Sequence, residues 1–215
     1  MKILYKLLKF ELLVYNRSYH LIRNNIYALL LSSVVFSIAM PGDVMTNYIK
    51  MLMCFWGVVF SSLTIPHYLI KSDLQDGFLE TLLCSASPIK IVVSKYLALT
   101  LSLIISMLIS IGFMVLFFSF SNKETLYLLL LMTLAILQIA AFILLGNIVH
   151  SYFRSNTNLL IALILPLVIP TLIIGASALE TLRFDFVMIL LGIDMVTIPT
   201  TFFLSSYLLS NLYDF

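Results

Sequence analysis

Charge is what this chain has least of. Only 10% of its 215 residues are charged, while 62% are hydrophobic; a soluble domain carries roughly 25% charged residues. That balance excludes an ordinary soluble domain. Glycine is sparse as well, and the seven glycines include no Gly-Lys pair and no Gly-x-Gly. A phosphate-binding loop needs such glycines and a lysine, because backbone amides and an ammonium must cradle the phosphates together. The chain is therefore expected to have no nucleotide site and no enzymatic activity of its own. For metal or thiol chemistry it offers only His20, His67, His150, Cys54 and Cys84. None falls in a metal-ligand spacing, and no Gly-x-Ser-x-Gly elbow is present. No catalytic residue, no metal site, no disulfide and no directly bound cofactor is expected, and each histidine reads as a polar residue near a membrane interface. No polar stretch leaves room for a separate soluble domain of even about 50 residues. Residues 1–215 read as a single transmembrane domain.

What is there is apolar helix. Uncharged runs over residues 51–70, 96–120, 126–149 and 159–179 are each long enough to cross about 30 Å of hydrocarbon. A fifth, 186–209, carries the single charge Asp194, and the shortest, 24–40, opens on two asparagines. The fold class is thus an all-α integral membrane protein with six transmembrane helices. The first 20 residues mix Lys2, Lys6 and Lys9 with Leu7, Leu8, Phe10, Leu12 and Leu13. That mixture predicts an interfacial helix with its lysines toward anionic head groups. No small-residue cleavage site follows, so the segment reads as retained. With the N-terminus in the cytoplasm, Lys2, Lys6, Lys9, Arg17, Arg23, Lys71, Lys90, Lys95 and Arg154 lie inside, and only Lys50, Lys123 and Arg183 lie outside. The excess of positive charge inside places both termini on the cytoplasmic side.

Polar residues inside apolar helices carry information. Ser94, Ala98, Ser102, Ser106 and Ser110 recur every fourth residue. Such a stripe lets a second helix approach closely, for packing, dimerisation or a pathway, with hydroxyls free to bond across the contact. Pro166 and Pro170 each remove a backbone donor, so the fifth span should bend or break there. Asp194 is the one carboxylate inside a span. An aspartate in hydrocarbon costs about 2.5–3.5 kcal/mol on insertion scales, so it should face protein or water, or be protonated. It reads as a transport or proton-handling residue, or as a capping residue if the helix begins later, near Gly192. Gln138 and Asn147 read as interhelical glue.

The exception to this avoidance of charge is KSDLQDGFLETLLCSASP, residues 71–88. Wound as one helix, it sets Asp73, Asp76 and Glu80 within about 60° of one another and Leu74, Phe78 and Leu82 on a second stripe. Ser72 and Gln75 have the spacing of a capping box, Asp76-Gly77 offers a competing break, and Pro88 closes the segment. A short amphipathic helix on the cytoplasmic side is expected between the second and third spans. Its apolar stripe either rests on the membrane interface or belongs to a face that docks a soluble partner.

Asp73-Leu74-Gln75-Asp76-Gly77-x-Leu79-Glu80-x-Leu82, with Ser87-Pro88 and Lys95 following, resembles the loop of the cytochrome c maturation protein B (CcmB) family, the permease of the haem exporter. Leu165-Pro166-Leu167-Val168-Ile169-Pro170 looks like that family's fifth-span motif. Length, six spans, short outer loops and a basic start with Phe10-Glu11-Leu12 extend the likeness along the whole chain, while Phe78 and Asp194 depart from it. The acidic-Gly-x-Leu-Glu-x-Leu pattern is shared more widely with type-2 ABC exporter permeases.

The resemblance implies a membrane permease subunit of an ABC complex for c-type cytochrome biogenesis. Asp73, Gln75, Asp76, Gly77, Leu79, Glu80 and Leu82 would form the helix that couples to a separate ATPase subunit, CcmA, which binds the ATP. CcmC, CcmD and the haem chaperone CcmE would complete the assembly, with a homodimer or equivalent pairing of the permease and with membrane lipid around it. Haem would be the substrate of the complex, exported or released on its chaperone. No nucleic-acid partner is implied, and the membrane would be a bacterial or mitochondrial inner membrane. An exporter subunit for a lipid or drug-like molecule, and a non-transporting scaffold that recruits an ATPase, share the same loop pattern.

Overall fold

In the computed structural model, the described runs without charge are helix, which satisfies every backbone group within one segment and without water. Residues 2–17, 20–39, 49–50, 52–54, 57, 70–118, 120–153 and 157–211 are described, and among them there is no strand. Helices α1 (Lys2–Arg17) and α2 (Leu21–Ala39) open the chain. A short pair follows, α3 (Lys71–Gln75) and α4 (Phe78–Ser85), and then α5 (Pro88–Phe118), α6 (Asn122–Phe153), α7 (Thr157–Thr181) and α8 (Phe184–Ser210). Three stretches, Pro88–Leu116, Asn122–Tyr152 and Phe184–Ser210, are long and apolar enough to cross a membrane. The expected span over residues 51–70 lies almost wholly outside the described residues. Of that stretch, Gly57 is seen against α2, where an added Cβ would stand 2.7 Å from Ser32 Oγ. A larger residue there would require the Ser32 hydroxyl to turn away.

Local chemistry explains where the helices start and stop, and corrects two expectations. Pro88 opens α5 instead of closing the charged segment: the first helical position needs no N–H, and Ser87 O accepts from Lys90 and Ile91 instead. Lys90 and Lys95 therefore belong to the same helix as the apolar run that follows. Ahead of α6, the Ser121 N–H donates to Glu124 Oε2 at 2.7 Å and the Glu124 N–H points back at Ser121 Oγ at 3.4 Å, a reciprocal cap. The second correction concerns α7, which does not break: it stays helical through both Pro166 and Pro170. Both prolines are exposed.

α6 is the hub. Leu128, Leu131, Met132, Ala135, Ile136, Ile139, Ala140 and Leu144 are all buried, and α5, α7 and α8 pack around them. α1 and α2 lie against α5. Apolar surface gains little by leaving lipid for protein, so such contacts rest on close packing and interhelical hydrogen bonds. Thr171 Oγ1 of α7 donates to Gln138 Oε1 of α6. The Tyr96 hydroxyl of α5 donates to Leu137 O of α6 at 3.1 Å, and its ring meets Phe202 of α8 edge-on at 4.8 Å. Asn147, expected to bridge helices, donates from Nδ2 to Ile143 O of its own helix. Buried residues of α8 (Val187, Leu190, Asp194, Thr201, Ser205 and Leu209) follow one stripe. Met188, Met195, Val196 and Phe203 lie off it, exposed.

Candidate functional site: a charged helix pair over a buried ion cluster

Segment 71–88 is two helices rather than one. Asp76-Gly77 is the break: Gly77 sits in the left-handed region at φ +67°, with nothing near its missing side chain. Strain in any replacement would come from the backbone alone. Gly77→Ala is expected to cost about 1–2 kcal/mol and Gly77→Asn less, since asparagine tolerates this region better. Thermal unfolding of the purified variants checks the order, and equal stability of the two would contradict it. The capping box does not form. Ile70 is the N-cap of α3 and no side chain caps it, because Ser72 falls inside the helix.

The break redistributes the expected stripes. Asp73 turns inward, whereas Gln75, Asp76 and Glu80 are exposed. Leu79 and Leu82 are buried in the protein's own core, and Leu74 and Phe78 pack half-buried against it. The apolar side of the pair thus anchors it to the rest of the chain. Phe78 meets Phe10 of α1, ring centroids 5.2 Å apart. Thr81, Cys84 and Ser85 join the exposed edge. Cys84 and the buried Cys54 are both free thiols.

Beneath the pair lies a charge cluster that sequence reasoning did not assemble. Lys95 Nζ reaches Glu11 Oε1 of α1 at 2.8 Å and Asp73 Oδ2 of α3 at 2.6 Å. The Lys95 and Glu11 side chains are 3% exposed and Asp73 18%, and Tyr15 lies within electrostatic reach of the ammonium. Three segments far apart in sequence therefore meet on one cation. With both carboxylates ionised the cluster holds one negative charge in excess. Burial is the largest influence on Glu11 and raises its pKa above the ordinary carboxylate value, against the pull of Lys95. The available signals were faint: an acid among the lysines of α1, and a lysine just before an apolar run. Neither names its partner.

The other predicted site residues lie elsewhere. Ser102, Ser106 and Ser110 are buried on α5, and their hydroxyls donate along their own helix, to Ala98 O, to Ser102 O and Leu103 O, and to Ser106 O. Among the described residues they make no bond to another helix. Asp194 is 5% exposed and does not cap a helix, since α8 begins ten residues earlier at Phe184. It stands about 15 Å along that helix, and its Oδ2 has no hydrogen-bond partner. His20 is exposed in the left-handed link between α1 and α2. His150 is buried near the end of α6, and His67 lies outside the described residues. No three metal-ligating side chains cluster among the described residues.

A helical bundle with several long apolar helices, a basic first helix and a short charged helix pair anchored to the core, defines a multi-pass membrane protein. The sequence model of the CcmB protein family matches residues 2–209, and the chain belongs to that family. Membership places it among the permease-type membrane proteins of cytochrome c maturation, which work within a complex of Ccm components. It is 27% identical over 214 residues to a Rickettsia conorii protein described as uncharacterized, covering 100% of this chain and 99% of the relative. It is 25% identical over 211 residues to a similarly described Rickettsia prowazekii protein, covering 98% of each.

Proposed function

We propose that the chain is the membrane permease subunit of an ABC complex for c-type cytochrome biogenesis, driven by ATP hydrolysis in a separate subunit, CcmA. The observation that carries this is the division of labour on α3 and α4. Asp73, Leu79 and Leu82 fasten the pair to the bundle, which leaves Asp76, Glu80 and Gln75 projecting from a firmly held base. Two exposed carboxylates on a positioned helix pair suit a soluble partner with a basic groove, whose attraction they steer and orient. The same residues would do little as a merely solvated loop, for which no buried anchor is required.

In this reading residues 1–215 are one permease domain of six spans, both termini cytoplasmic, in a bacterial or mitochondrial inner membrane. α1 lies along the cytoplasmic interface; its exposed Lys6, Lys9 and Arg17 alternate with exposed Tyr5, Phe10 and Leu13, a composition suited to anionic head groups. CcmC, CcmD and the chaperone CcmE would be assembly partners. Haem, handled as cargo by the complex, would be exported or released on CcmE. The chain itself would bind neither nucleotide nor cofactor.

Charge reversal at the docking edge tests the reading. Asp76→Lys and Glu80→Lys are each expected to leave membrane insertion intact and to weaken capture of the ATPase by about tenfold or more, on the scale of a like-charge clash in an interface. The measurement is co-purification with CcmA from membranes in which each variant is expressed at wild-type level. Equal recovery of the ATPase by wild type and both variants would refute the docking assignment.

A further inference from the structure

The ion cluster does more than hold the docking pair down, because it also binds that pair to α1. Each half of the pair has its own tie to α1. α3 is tied through Asp73, whose carboxylate shares the Lys95 ammonium with Glu11. α4 is tied through Phe78, whose ring lies on Phe10. Glu11 and Phe10 are adjacent on α1, so the two ties converge on one turn of that helix and straddle the Gly77 joint. A joint bridged on both sides by the same turn cannot flex freely.

An ammonium has three donors and takes partners from separate segments, which an apolar side chain cannot do with the same directionality. Buried ion clusters add little net stability compared with apolar packing, but they select one register. We infer that Lys95 is a positioning residue that makes α1, α3 and α4 a single body, so that a protein seated on Asp76 and Glu80 acts on α1 through the Glu11–Lys95–Asp73 cluster. α1 then belongs to the coupling machinery, although its exposed face meets the membrane surface. The inference rests on the docking reading above.

Amide hydrogen exchange on the full-length chain in lipid nanodiscs, with and without the purified partner ATPase, tests it. In wild type the ATPase should slow exchange in α4 and also in Lys2–Arg17, each by about tenfold, the change that a 1.4 kcal/mol stabilisation of a local opening produces. In Asp73→Asn, α4 should still be protected while the α1 response falls to about twofold, the part that the Phe78–Phe10 contact still carries. Lys95→Arg, which keeps the cation, should retain the α1 response. Glu11→Gln cuts the same link from the α1 side and should reproduce the Asp73→Asn pattern, so the outcome does not depend on one variant assembling. A purely structural cluster would change the exchange of α1 equally with and without the ATPase, and that result overturns the inference. So does an ATPase that protects α4 in wild type while α1 stays unmoved; the docking reading survives that outcome. If α4 itself shows no protection in wild type, the docking reading fails and the inference falls with it.

Discussion

Replacing Lys95 with methionine is expected to destabilise the protein by about 3–5 kcal/mol, the cost of removing one partner from a buried ion pair. The size follows from what would remain. Glu11 and Asp73 both approach the ammonium within 3 Å, so its loss leaves two carboxyl groups facing each other with little water to screen them. At least one must take up a proton or swing away, and for Glu11, on a helix packed against α5, swinging away means loosening α1. Methionine nearly matches lysine in volume, so the loss would come from charge more than from a cavity. The companion variant is Glu11→Gln, Asp73→Asn and Lys95→Met together, which removes all three charges. It should recover most of the stability, because a cluster without charge has nothing left uncompensated. Heat denaturation of the purified variants in one detergent measures both. A loss below about 1 kcal/mol for Lys95→Met would place the pair with weak, solvent-screened bridges. A triple variant as unstable as the single one would mean that packing, not charge, holds the cluster.

The parts of this molecule that can be read from sequence are those set by local pattern. Among the described residues, runs without charge became helices, and the helix from Pro88 to Phe118 shows how far such a signal reaches. The same helix shows its limit, because the expected span began at Tyr96 and missed the turns in which Lys90 and Lys95 already belong to the helix. A lysine looks like a boundary when only hydropathy is read. Whether it is one depends on a carboxylate brought to it from 84 residues upstream, and one sequence carries no record of that pairing. Asp73 failed for a related reason: wound into one helix it shared a face with Asp76 and Glu80, but the left-handed turn at Gly77 takes Glu80 off that face and Lys95 draws Asp73 inward. That break was visible in Asp-Gly as a competing signal, but two conformations of similar local cost are decided by packing. The prolines of α7 did not break their helix: each forfeits one backbone bond, and the rest of a long helix carries the chain through. The serines of α5 kept their hydrogen bonds within their own turns, since a carbonyl four residues back is always in reach and a partner on another helix is not.

Asp194→Leu is expected to stabilise the bundle by about 1–3 kcal/mol, as replacing a buried charge with apolar side chains often does, while lowering the yield of assembled c-type cytochrome. The two halves of this prediction pull in opposite directions for a reason. Asp194 lies on the buried stripe of α8, Oδ2 has no hydrogen-bond partner, and no salt bridge reaches it among the described residues. A carboxyl group so placed weakens the fold whichever form it takes: ionised it lacks a countercharge, and neutral it still lacks a partner for that oxygen. Thr197, one turn further along the helix, also has a hydroxyl without a partner, so the polar capacity left open there exceeds one atom. A buried carboxyl with one oxygen unpartnered among the described residues points to use, and inside an apolar helix the usual uses are holding a proton or a passing polar group. Asp194→Asn separates the two. It keeps shape and polarity but cannot be ionised, so a proton-handling role predicts loss of cytochrome assembly in both variants, and a polar-contact role predicts loss in the leucine variant alone. The measurements are a denaturation midpoint for each variant and the haem-stained yield of c-type cytochrome in cells that rely on it. A leucine variant that is less stable than wild type, or that assembles cytochrome normally, would return Asp194 to an ordinary place in the packing of α8.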